Sequence, residues 1–117
     1  MKCIIYHNQK CSKSRETLEL LKSRGHEPTI IDYLKNSPKV SELKKIIIKL
    51  KIYPKKLVRF KENKAKELGI SANDNRTYDQ WMKILAKNPE LIERPIVVTS
   101  KGAVIGRPPE NVLKVLD

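Results

Sequence analysis

Apolar residues along this chain follow two rhythms. Four short runs rich in β-branched residues, KCIIY at 2–6, TIIDY at 29–33, PIVVT at 95–99 and AVIG at 103–106, are bounded by polar or turn residues, which marks them as strands. Helical spacing occupies most of the rest. From about Ser12 to Arg24 the apolar positions Leu18, Leu20 and Leu21 recur at that spacing, Gly25 offers the residue past the helix end, and Pro28 follows. Ser41 is expected to cap a second helix in which Leu43, Ile46, Ile47 and Leu50 follow the i, i+3, i+4, i+7 rule and which Tyr53-Pro54 stops. A short helix is predicted over Lys61 to Leu68, ending at Gly69, with the polar SANDNR as a loop. Thr77 to Gln80 reads as a capping box that opens a helix burying Trp81, Ile84 and Leu85 before Asn88-Pro89. Ser100-Lys101-Gly102 is a hairpin signal, and Pro108-Pro109 opens a last helix expected to carry Val112, Leu113 and Leu116 on one face.

The first strand, helix and second strand form a β-α-β unit, whose strands should be parallel with a right-handed crossover. The order β-α-β, helices, β-β-α is that of an α/β thioredoxin-like fold: a four-stranded mixed sheet with a helical insertion at about 36–93. With 117 residues, the chain has room for one domain, 1–117, around one modest core. No internal repeat interrupts this pattern.

Composition narrows the class. No apolar run approaches the roughly 20 residues that span a bilayer, so no membrane association is expected. The opening MKCIIYHN breaks its apolar run at His7 and Asn8, short of a secretory h-region of about 7 to 15 residues, and cytoplasmic residence is the expectation. Net charge is +12, from 25 basic and 13 acidic residues, and nine lysines with Arg59 fall between Lys44 and Lys66. That density resembles a nucleic-acid footprint. Aromatic residues are few and no nucleic-acid motif accompanies the charge, so a lysine-rich solvated surface is the expectation and nucleic acid is not an expected partner.

The two cysteines, Cys3 and Cys11, are read as reduced thiols. Cys3 sits in an apolar run and should behave as a small buried hydrophobe. Cys11 lies among Lys10, Lys13 and Arg15, at the predicted N-terminus of a helix, and both features lower a thiol pKa. His7, four residues upstream, either adds an imidazolium or accepts a proton there, or merely satisfies loop backbone groups. Ser12 or Ser14 is expected to cap the helix, with one hydroxyl hydrogen-bonding the thiolate. Because position 14 is serine, the C-x-x-C pair of a dithiol redox centre is absent, and an oxidised Cys11 needs an external thiol.

The segments YHNQKCSKSRETLELL, EPTIIDYL, KLVRFKEN and ERPIVVTSKGAVIGRPPENVL together resemble the glutaredoxin-dependent arsenate reductase (ArsC) family over nearly the whole chain. The resemblance implies an oxidoreductase in which Cys11 attacks arsenate and Arg59, Arg94 and Arg107 hold the oxyanion; His7, Ser14 and Arg15, in the same loop, are the candidate catalytic residues beside Cys11. It further implies glutathione as co-substrate, glutaredoxin as partner, no bound cofactor and no metal. It places a cis peptide bond at Arg94-Pro95. Guanidinium suits the oxyanion role because its planar fork stays charged and matches tetrahedral oxyanions. Spx-like regulators, which bind RNA polymerase, resemble the same chain and would account for the basic 44–66 segment. Their usual C-x-x-C switch is missing here. A third alternative is a thiol oxidoreductase of this family with another substrate.

Overall fold

A computed structural model describes residues 1–117. Its strands are β1 (Cys3–His7), β2 (Thr29–Asp32), β3 (Ile96–Thr99) and β4 (Gly102–Ile105); its α-helices are α1 (Ser12–Ser23), α2 (Val40–Leu50), α3 (Asn63–Leu68) and α4 (Tyr78–Lys87). Three 3-10 segments, Pro54–Leu57, Pro89–Leu91 and Pro109–Val115, each begin at a proline, whose fixed φ suits a first helical turn. The sheet order is β2-β1-β3-β4, with β1 and β2 parallel and the other neighbours antiparallel. This is the mixed sheet of a thioredoxin-like α/β fold.

The chain divides into two compact units, Met1–Asn36 with Arg94–Asp117, and Ser37–Glu93. In the first, Cys3 and Ile5 of β1 and Val97 of β3 pack with Leu21 of α1 and with Val112, Val115 and Leu116. Strand side chains alternate faces, so His7 follows Cys3 and Ile5 onto the face that α1 covers. That alternation delivers a histidine to the foot of α1.

In the second unit, α2 buries Leu43, Ile46 and Ile47, and α4 buries Trp81, Met82 and Leu85. Phe60 stands edge-on to Trp81, with ring centroids 5.8 Å apart. The segments after the first and second 3-10 turns are tied together, Arg59 N donating to Leu91 O at 2.7 Å and Glu93 N to Leu57 O at 2.8 Å.

Four expectations need correction. Lys39, not Ser41, is the N-cap of α2, which already begins at Val40. α3 is shorter than expected, starting at Asn63. Met82 takes the buried place expected of Ile84, which is only half-buried, because α4 presents a stripe at 81, 82 and 85. The last helix is 3-10 rather than α. Its three-residue period aligns Val112 with Val115 and turns Leu113 outward, 40% exposed. The Thr77–Gln80 capping box is present, each side chain bonding the other residue's backbone N–H. No helix is long and apolar enough to cross a membrane.

Candidate active site around Cys11

Between β1 and α1 the chain makes a tight turn in which Cys11 N donates to Asn8 O at 3.0 Å and Lys10 N to Asn8 Oδ1 at 3.0 Å. Cys11 itself is the N-cap of α1, in extended conformation (φ −95°, ψ 123°), and its carbonyl accepts from Arg15 N at 3.0 Å. The N-cap position ordinarily carries an oxygen that accepts from the free amides of the first turn. Here a sulfur occupies it. No side-chain hydrogen bond of full geometry caps the helix, but the backbone N–H groups of Ser14 and Lys13 act on the sulfur and favour its thiolate. Helix α1 has no acidic residue in its first turn, so the thiolate is the negative charge that complements this end of the dipole.

Ser14 is fully buried and does not cap the helix. Its Oγ accepts from Asn8 N at 3.0 Å and lies 2.6 Å from His7 Nδ1. The buried hydroxyl has no acceptor other than Nδ1 for its own proton, so it donates there, which places the imidazole proton on Nε2. Burial pushes the His7 pKa down; the Asp32 carboxylate opposes this, and Arg15 and Lys22 reinforce it. His7 is therefore a neutral ring holding Ser14, rather than an imidazolium beside the sulfur. Ser12 is exposed, and neither serine makes the expected cap.

Arg107 donates from Nη1 to Cys11 Sγ at 3.6 Å and to Arg94 O at 3.1 Å. The Arg94 guanidinium is a second side-chain donor to the sulfur. Both arginines precede cis prolines, Arg94-Pro95 as the resemblance implied and Arg107-Pro108 in addition. Arg15 points elsewhere, its Nη1 donating to Gln9 O at 2.8 Å. Arg59 belongs to the 37–93 unit, where Nε meets Glu62 at 3.1 Å and Nη1 meets Glu93 at 2.7 Å.

Sequence reasoning passed over the residues that set these spacings. Gly106 N donates to Pro95 O at 2.8 Å, tying the two Arg-Pro segments together. A Cβ on Gly106 would lie 2.6 Å from Thr17 Oγ1 and 2.9 Å from Pro95 Cγ, so only glycine lets α1 come this close. Thr17 Oγ1 donates to Lys13 O at 2.7 Å and lies 3.3 Å from Gly106 O. Asn111 Nδ2 donates to Ile105 O at 3.2 Å and Arg107 O at 3.1 Å, bracing the turn that carries Arg107. The glycine directly before Arg107-Pro108 was the available signal, since a glycine inside a strand-like run marks close backbone approach.

Opposing effects act on Cys11. Burial alone would push its pKa up; the Ser14 amide, the Arg94 and Arg107 guanidiniums and the Lys13 amide outweigh it and bring the thiol below its ordinary value. The sulfur is partly accessible. A thiolate flanked by two guanidiniums can attack an electrophile that arrives as an anion. No group of three or more His, Cys, Asp and Glu side chains is arranged to hold a metal ion.

The chain resembles known proteins along its whole length. It is 45% identical over 112 residues to an arsenate reductase of Escherichia coli, covering 96% of this chain and 79% of that one. It is 42% identical over 113 residues to YfgD of Escherichia coli K12, a protein named only as uncharacterized, at 96% and 94% coverage. The solved arsenate reductase of Vibrio cholerae superposes with a TM-score of 0.94 at 46% identity, over 99% of this chain and 98% of the other. With residues 6–115 matching the ArsC family as well, the chain belongs to that family.

Proposed function

We propose that the protein is an arsenate reductase in which Cys11 is the nucleophile. The observation that carries this reading is the sulfur at the N-terminus of α1 with Arg107 Nη1 3.6 Å away. Joining a thiolate to an oxyanion brings like charges together, and donors already aimed at the spot make that approach tolerable. The thiolate attacks arsenic(V), an S–As bond forms, and one As–O bond breaks as its oxygen leaves as water after taking up protons. Arg94 and Arg107 bind the arsenate oxygens, and the first-turn amides of α1 receive negative charge as it moves. His7 and Ser14 position this loop.

The sequence lacks a second cysteine at position 14, so the electrons come from outside. The thiolate of glutathione attacks the Cys11 sulfur of the adduct. An S–S bond forms as the S–As bond breaks, and its electron pair passes to arsenic, which leaves as arsenite. The two thiols are oxidised and arsenic is reduced by two electrons. A glutaredoxin thiolate then attacks the glutathione sulfur and frees Cys11. The resemblance names Arg59 as a third oxyanion arginine, but it is committed to Glu62 and Glu93 within the 37–93 unit, and this reading rests on Arg94 and Arg107.

The test is arsenate turnover with glutathione alone, glutaredoxin alone and both, for the wild type and Cys11→Ser. Both reductants together should give full activity and Cys11→Ser none. Activity retained by Cys11→Ser would refute the assignment.

A further inference from the structure

Beside the Cys11 loop, the end of β1 and the first two turns of α1 form an open cavity of about 720 Å³ lined by His7, Gln9, Ser12, Arg15, Glu16 and Glu19. That is the size at which small-molecule sites are found, roughly 300 to 1,000 Å³. Its polar groups have a definite arrangement. His7 is 91% buried, since its relative exposure is 9%, and its Nδ1 is committed to Ser14. What the ring presents to the cavity it lines is the edge carrying Nε2–H, a donor with no protein partner. Arg15 spends only Nη1 on the Gln9 carbonyl, and its other guanidinium donors remain. Glu16 is paired with Lys13 at 3.3 Å, while Glu19 forms no ion pair. One wall therefore offers donors to a carboxylate, and the next turn of the helix offers a carboxylate to an ammonium.

We propose that this cavity seats the low-molecular-weight thiol that attacks the Cys11 adduct, with Arg15 and His7 Nε2–H on a carboxylate and Glu19 on an ammonium. The proposal rests on the reading of Cys11 given above. It fits a peptide thiol bearing both charges, such as glutathione. Ser12, the residue after Cys11, lines the cavity, so its rim reaches the loop that carries the reacting sulfur, and the flexible peptide thiol spans the rest. No residue of the 94–107 segment lines it. The oxyanion and the thiol are thus held by separate side chains, and both can be bound when the second step begins. A neighbouring cavity of about 460 Å³, lined by Lys13, Glu16, Pro108 and Glu110 among others, has no buried donor turned into it.

The test uses S-methylglutathione, whose blocked sulfur cannot react, so binding is read without any turnover. Titrated into the intact protein, it should shift the amide resonances of Gln9, Ser12, Arg15 and Glu19. Arg15→Gln and Glu19→Gln should each weaken binding about fivefold or more, the scale of one charge-assisted hydrogen bond. In arsenate turnover, Glu19→Gln should raise KM for glutathione by a similar factor and leave 2-mercaptoethanol-driven turnover unchanged, because that thiol carries neither charge. Shifts confined to residues 94–107 or 37–93, or equal losses with both thiols, would overturn the subsite. If S-methylglutathione binds as described but arsenate is not turned over, the subsite stands and the reading of Cys11 falls. If turnover persists without such binding, the reverse holds.

Discussion

The chain carries the same thiol twice, eight positions apart, in two regions that treat it oppositely. Cys3, on β1, is 4% exposed and packs with Ile5, Leu21 and Val97; burial pushes its pKa up and nothing counters it. Cys11, at the N-terminus of α1, also feels burial as an upward push, yet its pKa falls because two amides and two guanidiniums face it. Both sulfurs are partly or wholly removed from water. Oriented donors, more than depth, separate the thiol whose pKa is raised from the one whose pKa is lowered.

The two thiols should differ most in reactivity. Iodoacetamide at neutral pH should modify Cys11 at least about a hundredfold faster than Cys3, which reacts only when the protein opens. Comparable rates at the two sites would mean that β1 exposes its sulfur and that the contrast is absent. Loss of the nucleophile in Cys11→Ser should lower arsenate turnover by about a thousandfold or more.

Next in size are changes that leave Cys11 in place and disturb its donors. Gly106→Ala would drive a methyl into Thr17 and Pro95, costing about 1 to 3 kcal/mol as overpacking does. It should also part the Arg94 and Arg107 segments from α1, with a loss of activity larger than the loss of stability explains. Arg107→Gln removes the donor at 3.6 Å. It should raise the Cys11 pKa, shifting the pH dependence of alkylation upward, and cut turnover about ten- to a hundredfold. An unmoved alkylation profile in Arg107→Gln would take Arg107 out of the account of the thiolate.

Much of this is legible in the amino-acid sequence. Strand and helix rhythms carry the element order, and the first-turn amides that lower the Cys11 pKa are close in sequence; the charges that join them are those of the distant Arg94 and Arg107, not of the nearby Lys10, Lys13 and Arg15. Contacts between distant segments were harder to see. The bond from His7 Nδ1 to Ser14 follows from strand alternation meeting a helix turn, and the expected cap at Ser14 dissolved once that hydroxyl was taken. In the sequence Gly106 only closes the strand-like run AVIG; the closeness of Thr17 and Pro95 gives it its reason. The terminal segment misled for a different reason: apolar spacing of 112, 113 and 116 fits an α-helix, and only packing against α1 and β4 selects the 3-10 register that buries Val115.

The two thiols should also bend the stability curve, weakly and in opposite senses. Cys3 has a folded pKa above the ordinary 9.0, so above that pH the unfolded chain ionises first. Its contribution is present below about 9.0 and is lost as the pH rises toward the folded value. Cys11 has a folded pKa below 9.0; its contribution is present above that value and is lost as the pH falls through the folded one. His7, depressed by burial from 6.5, acts only on the acid side, where its protonation favours unfolding. Melting temperature followed from pH 7 to 10 should therefore decline less steeply at the alkaline end in Cys3→Ala than in the wild type. Cys11→Ser should lose the rise approaching pH 9.0 and keep the alkaline decline. If both variants keep the wild-type curvature, the native surroundings of the two sulfurs do not differ in the way their partners indicate.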